Sequence, residues 1–582
     1  MVVPSRRLTS GLRQAVTLGV MLDWVSDPYQ MGILAGILDA AANAGANVLC
    51  FAGGRVPMNS ATSARHRVFQ LIGRHNVDAL VVLAAALMHE VGLSGIRSYC
   101  ADLIQNLPYC TFGVEMEGVP SVVANSKCGM RDLVSHLVDD HGCRRFAFVR
   151  GPIANVEAEE RFMAFQQGLE AEGIALDPEL VAVGDFLAPS GAEAVGRFSR
   201  VAGTSLKDLD AIVAANDEMA VGVLQALDAK GISVPGSIAV TGFDDEEEAR
   251  LAPAPLTTVR QSLEKIGRLA ANNMLNLAQV GTAPESLVVD TELVVRRSCG
   301  CSANRHVAKH STAPDLKVGF EAAIVLRREH IIHSLSRAGR GALGRAGSGW
   351  EPRMLDAFLA EMSDAKPGAF RCMIENLAET STAHRSDIQV CHDVVQVLRR
   401  QVSITMRSDL ARRDKAEEIF YASHLALAEI DRRGLSRETL RLGRWGRDVA
   451  DACNGLTNAF DFDELHVRIH EVLPTIGITT YYVVVYCPTR GRTAARLIVA
   501  SDKGRPIPLP ADSEFDGAQL LPASYKETIR DGRAYVVIPC TWKDISLGHI
   551  IVDLNPAHAF CYDVVADAIA SGLYGSRLAA TA

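Results

Sequence analysis

Two strand ends in this sequence carry side chains suited to holding a small polar molecule. The first, "AIVAAND" at 211–217, is an apolar run closed by Asn216 and Asp217 directly before a helical stretch; the second, "IAVTGFDD" at 238–245, closes with Asp244 and Asp245. Amide and carboxylate groups at the carboxyl ends of parallel strands lie where open α/β sheets bind ligands, and they match hydroxyl-rich or amine-bearing molecules. Asp217 is placed to cap the helix that follows, while Asn216 and Asp244 are expected to reach the ligand.

Such tips have to be positioned by sheets, and the first 300 residues supply them. Short apolar runs ("AVTLGVML", "NVLCFAGG", "VDALVVLA", "RFAFVRG") alternate with amphipathic stretches such as "YQMGILAGILDAAANAG" and "AEERFMAFQQGLEAEG". Strand–helix–strand repetition implies parallel sheets with right-handed crossovers, and the number of units implies two doubly wound lobes. Gly45, Gly142, Gly173 and Gly231 stand where helices should end. From about 302 to 460 strand signals vanish and helical periodicity takes over, with helices expected near 351–363, 366–378 and 385–413. Leu442, Trp445, Val449, Ala452 and Leu456 form an a/d stripe that serves equally for packing on a partner helix or on the chain's own domain. Beyond 460, period-two runs such as "TTYYVVVYC" and "LGHIIVDL" between helical ends describe an α+β domain.

Composition is that of an ordinary soluble protein: 582 residues, 48% apolar, 22% charged, net charge −9. General nucleic-acid binders are more often basic. No apolar run approaches the roughly 18 residues of a membrane span. The N-terminus lacks the pattern of a signal peptide, and thirteen scattered cysteines fit reduced thiols; a cytoplasmic location is expected.

Several stretches in order carry a family resemblance: "DPYQMGILAGILDAAANAG", "VPSVVANSKCGMRDLVSHLVDDHGCRRFAFVRGP", "ERFMAFQQGLEAEGI", "VAANDEMAVGVLQALDAKGISVPGSIAVTGFDD" and "APLTTVRQ". On these, residues 15–300 resemble the periplasmic-binding-protein-like sensor of LacI-type transcription regulators. The resemblance implies ligand contacts from Arg161, Asn216 and Asp244, an aromatic wall at Tyr29, and Asp23 and Trp24 on the first strand-end loop. Asn125 stands where these regulators usually carry aspartate. It also implies a pocket between the lobes, closing about crossovers near 112–118 and 242–245. The ligand expected is a sugar, polyol or nucleobase.

The run "LVVRRSCGCSANRH" resembles the ending of LacI-like sensors fused to bacterial signalling outputs, and the segments that follow resemble their helical linker and GAF-like domain. Cys299 and Cys301 are read as structural, with no second cysteine pair at zinc-finger spacing and no metal site expected. "GRGALG" at 339–344 follows a helix instead of a strand and reads as a connector, and His330 with His333 reads as a solvated face. "GSG" at 347–349 lacks the context of a nucleophile elbow. No catalytic constellation is found, so no enzymatic activity and no cofactor are expected.

The sequence therefore leads to an α/β, two-lobed sensor at 15–301 after a tail at 1–14. A helical domain at 302–410, a signalling or dimerisation helix at 411–460 and a GAF-like α+β domain at 461–582 complete the expected order. The expected function is sensing of a small polar ligand by a homodimer, with lobe closure passed to the helical and GAF-like modules and on to an output partner protein. Direct DNA contact is doubted, because fourteen residues ahead of the sensor cannot hold the helix-turn-helix of LacI-type regulators. The alternative is a LacI-family transcriptional regulator that binds DNA through an unrecognised element or a partner.

Overall fold

The computed structural model describes the chain except for residues 1–14, 57–63, 202–204, 283, 302–318, 340–342, 344–348, 382–385, 407–408, 460, 490–491, 510–513 and 582. The tail, most of "GRGALG" and the first two residues of the 347–349 "GSG" lie outside the described residues. The chain forms two compact units: Met1–His306 with Asp448–Ala582, and Val307–Arg447.

In the first unit, strands β1 (Thr17–Leu22), β2 (Asn47–Ala52), β3 (Ala79–Val82), β4 (Tyr109–Phe112) and β5 (Ser121–Asn125) form a parallel sheet in the order β5-β4-β3-β1-β2. Every residue of β1 and β2 is buried, as a parallel sheet covered on both faces requires. Helix Pro28–Asn43 starts at Asp27, whose carboxylate accepts the Gln30 N–H at 3.2 Å, and lies on helix Leu263–Val280. A Cβ at Gly36 would fall 1.9 Å from the Glu264 carbonyl oxygen and one at Gly267 2.0 Å from that of Ile33, so the two backbones touch only because both positions are glycine. This contact fixes the first turn of Pro28–Asn43, with Tyr29 and Gln30, beside the start of Leu263–Val280.

The second lobe holds β6 (Phe146–Arg150), β7 (Val181–Val183), β8 (Ala211–Ala214) and β9 (Ala239–Thr241), parallel in the order β7-β6-β8-β9. Phe148 and Phe165 stack at 4.7 Å in its core. β10 (Thr258–Arg260), β11 (Leu287–Asp290) and β12 (Glu292–Val294) complete the pair of lobes: β11 joins β5, and β12 runs antiparallel to β10. The crossovers differ from expectation. After β4 the chain makes β5 in the same sheet and crosses only at Asn125; Gly242–Asp245 lies alongside β10, and the return falls at Gln261–Leu263. β5 was hidden because "SVVAN" is short and follows β4 without an intervening helix.

The C-terminal segment supplies β13 (Tyr481–Thr489), β14 (Arg492–Asp502), β15 (Arg505–Pro506), β16 (Glu514–Asp516), β17 (Ala534–Trp542) and β18 (Ile545–Asp553), with helices Phe462–Val472 and Tyr562–Thr581. The four long strands are antiparallel in the order β17-β18-β13-β14. They do not make the separate domain expected. β17 pairs in parallel with β2, from Ala534 opposite Val48 to Val537 opposite Phe51, giving one twelve-stranded sheet. Phe51 and Phe69 share a core with Tyr482 and Tyr535. An apolar strand such as "NVLCFA" left at a sheet edge would expose unpaired backbone groups, and β17 occupies that edge.

The second unit is helical: Phe320–Ala338, Trp350–Met362, Ala369–Ser381, Ser386–Ser403 and the long helix Leu410–Thr457, whose turns from Asp448 belong to the first unit. Phe358, Phe370 and Phe420 anchor its core, with Phe358 stacked on Phe420 at 5.0 Å. The expected helix 385–413 ends earlier, at Ser403, with a turn of 3-10 helix before the next begins. His330 and His333 are exposed. In the first unit Val449, Ala452 and Leu456 are buried, the Leu456 carbonyl lying against Gly572; this end of the stripe packs on the chain's own helices, whereas Leu440 and Leu442 are exposed. Among the described residues no helix is long and apolar enough to cross a membrane.

A candidate ligand site between two lobes

Asp244 sits just past β9 with φ at 109°, a conformation that L residues adopt only when their surroundings impose it. Its buried carboxylate accepts the Gln261 side-chain N–H at 2.6 Å and lies 3.3 Å from the Arg161 guanidinium. Arg161, on helix Val156–Ala171 and 2% exposed, donates to the Ala215 carbonyl at 2.7 Å and lies 4.0 Å over the Phe243 ring. The neighbouring Asp245 faces elsewhere. Burial alone would raise its pKa, but Arg296, Arg250 and Arg260 around it hold the carboxyl low, as a structural anchor does.

From the first lobe, Asp23 at the end of β1 accepts hydrogen bonds from the Gln30 side chain and from the Trp24 N–H, and burial pushes its pKa up to about 6. Burial raises Glu157 to about 7, against the lowering influence of Arg161, and burial raises Asp217 to about 8. Carboxyls so placed can donate as well as accept hydrogen bonds near neutral pH. Tyr29 projects between them, with Glu157, Asp244 and Arg161 as electrostatic neighbours and Phe112 6.1 Å away.

Four buried polar atoms of this group make no hydrogen bond among the described residues: Tyr29 Oη, Gln30 Oε1, Arg161 Nε and Gln261 Oε1. They come from the first lobe, the second lobe and the segment joining them. A buried polar atom left unpaired costs about 1–3 kcal/mol, a cost that polar groups from outside the chain would relieve at this convergent set.

Of the residues expected to bind, the structure brings Asp23, Tyr29, Arg161 and Asp244 together. Asn216 takes the capping role expected of Asp217, and Asp217 is held inside the fold. Asn216 is the cap, accepting the Met219 N–H at 3.0 Å and donating to the Phe186 carbonyl at 2.9 Å, whereas Asp217 accepts from the Thr258 hydroxyl at 2.6 Å and the Glu246 N–H at 2.9 Å. Asn125 lies at the crossover with its amide committed to Asp290 at 2.9 Å. Trp24 carries the Arg65 guanidinium 4.5 Å over its ring, and Arg65 continues to Asp563 on helix Tyr562–Thr581 at 2.6 Å. Gln30, Glu157 and Gln261 were missed. Gln30 directly follows Tyr29 and Gln261 closes the "APLTTVRQ" motif, so both were within reach of a reading that looked beyond charged and aromatic side chains.

Residues 134–299 match the periplasmic binding protein-like domain. The chain is 36% identical over 187 residues to the HTH-type transcriptional regulator CelR of Thermobifida fusca, which is 32% of this chain and 54% of that protein. It is 28% identical over 290 residues to the HTH-type transcriptional repressor CytR of Escherichia coli strain K12, covering 48% and 79%. It thus spans about half the length of the CelR relative. A solved structure, the transcriptional regulator CelR-cellobiose complex, is similar with a TM-score of 0.43 and 28% identity over 49% of this chain and 85% of that one. These relatives are named as transcription regulators, and they lend no support to the doubt over DNA contact raised from the sequence. Within the two-lobed half of this chain, residues 134–299 are a periplasmic binding protein-like domain, and that half is similar to the two regulators named above.

Proposed function

We propose that this chain, with a periplasmic-binding-protein-like sensor similar to those of LacI-type regulators, is a cytoplasmic, ligand-responsive transcription regulator acting as a homodimer. The observation that carries the reading is the set of partnerless buried atoms on Tyr29, Gln30, Arg161 and Gln261, gathered from both lobes. One planar cation, several carboxyls able to exist protonated, two amides and a phenol suit a neutral polyhydroxylated molecule, a sugar above all. A ligand held by both lobes favours the closed arrangement by its differential affinity, typically about 1–3 kcal/mol of coupling.

DNA contact needs a cationic element, and helix Leu410–Thr457 offers one. Arg432, Arg433, Arg437, Arg441, Arg444 and Arg447 are all exposed, and within 432–447 Glu438 is the one acidic residue. The second reading, transmission of lobe closure to the C-terminal α+β module, is favoured by the Trp24–Arg65–Asp563 relay and by the β2–β17 pairing. The module itself is read as GAF-like from its sequence.

The test is a thermal-shift screen of the full chain against pentoses, hexoses, disaccharides, polyols and purines, with Gln261→Leu and Arg161→Lys as controls. Ligand binding to the folded state raises its Tm with concentration. A sugar-induced rise that both controls reduce is the expected outcome. A folded chain whose Tm none of the panel moves overturns the reading.

A further inference from the structure

In the sequence Cys299 and Cys301 have no second cysteine pair at zinc-finger spacing. The fold supplies histidines instead. His136, His141, Cys299 and Cys301 offer four ligand atoms that all lie within 4.8 Å of one another. His136 Nε2 is 3.4 Å from Cys299 Sγ and 3.7 Å from Cys301 Sγ, and His141 Nε2 is 3.3 Å from Cys301 Sγ. With Zn–S near 2.3 Å and Zn–N near 2.0–2.1 Å, neighbouring corners of a tetrahedral site lie roughly 3.3–3.8 Å apart. The observed sulfur–nitrogen separations fall in that range.

Local backbone geometry builds this arrangement. Helix Ser126–Ser135 runs into a π-helical turn, His136–Asp140, with His141 next. The wider i→i+5 closure of a π turn brings positions 136 and 141 toward one side, which an α-helix would not, and such turns gather at functional sites. The two rings meet edge to face at 4.9 Å. Opposite them Gly300 adopts φ 102°, where a Cβ would stand 3.4 Å from the His141 ring; this left-handed turn lies between the two cysteines that face the histidines.

The surroundings are also those of a metal centre. His136 Nδ1 meets the Asp140 carboxylate at 2.8 Å. This is the carboxylate–histidine pairing that orients a metal-binding imidazole through its other nitrogen. The Thr257 hydroxyl donates to Cys299 Sγ at 3.1 Å. Both cysteines are buried.

We propose that His136, His141, Cys299 and Cys301 form a closed structural zinc site that ties the last segment of the sensor to the helix of its second lobe. A tetrahedral S2N2 donor set selects zinc among the abundant divalent metals. Four protein ligands leave no open position, so the site holds structure and does not catalyse.

The test uses the full chain, produced without a histidine tag in zinc-replete medium. Metal content is measured by mass spectrometry beside Cys299→Ser/Cys301→Ser, His136→Ala and, as control, Cys128→Ser. One zinc per chain in wild type and control, lost in the other two, is the expected result. Exchange into cobalt should add the absorption of a tetrahedral cobalt–thiolate centre, and a chelator should lower the Tm of wild type but not of the double variant. Wild-type chain that carries no more zinc than the double variant and takes up no cobalt overturns the proposal. Zinc that persists in the double variant overturns it equally, and the cobalt spectrum decides the matter for any variant that fails to fold.

Discussion

At the scale of single residues, the candidate site is defined by acids held away from water. Glu157 and Asp217 keep protons in the folded state that the unfolded chain gives up near their ordinary values of 4.5 and 3.8. A folded-state pKa raised in this way contributes stability that is fully present below the unfolded value and lost as pH rises through the folded one. The Tm of the chain is therefore expected to fall between about pH 4 and 8, the contribution of Glu157 ending near its folded value of about 7 and that of Asp217 near about 8. Glu157→Gln should flatten the first part of that decline, and scanning calorimetry across the range checks it; an unchanged slope would count against Glu157 as its source. The charged members of the site were legible because Arg161 and Asp244 belong to recognisable motifs. That Asn216 and not Asp217 caps the helix was not, since both residue types cap helices well and only the position of Thr258 and of the Glu246 N–H draws Asp217 inward.

At the scale of elements, periodicity and punctuation performed well. Gly45, Gly142, Gly173 and Gly231 all adopt positive φ, and the strand runs named from apolar clustering are strands. What escaped was the short, uninterrupted passage from β4 to β5 and the break after Ser403, where local pattern carries little signal. The exposure of the arginine-bearing stretch of helix Leu410–Thr457 agrees with either a solvated face or contact with phosphates. Arg441→Glu with Arg444→Glu distinguishes the two. If this face reads DNA, the slope of log affinity against log salt should shrink by about two units, close to 0.9 per lost phosphate contact, with the melting curve unchanged. Fluorescence anisotropy on duplex DNA over a salt series measures it, and an unaltered slope sends the search for a DNA-contacting element elsewhere.

At the scale of the whole molecule, the joining of β17 to β2 matters most, because it makes the first lobe and the C-terminal strands one sheet and one core. Tyr535 is fully buried in that shared core, with its hydroxyl donating to the Thr528 carbonyl. Its change to alanine is expected to cost about 3–5 kcal/mol. Hydrogen exchange should then show amides of β1 and β2 and those of β13 and β18 losing protection together, whereas loss confined to the C-terminal strands would mean that they open alone. By itself the sequence determined the alternating strands and helices and the two-lobed α/β half, because apolar periodicity and helix punctuation act over a few neighbours, while the resemblance singled out Arg161 and Asp244 as candidates. Only the tertiary structure decided which edge receives β17, that Gln30 and Gln261 flank Arg161 and Asp244, and that His136 and His141 meet Cys299 and Cys301. Each of these joins residues far apart in the chain, and strand pattern sets which face is buried without specifying the partner across the backbone hydrogen bonds.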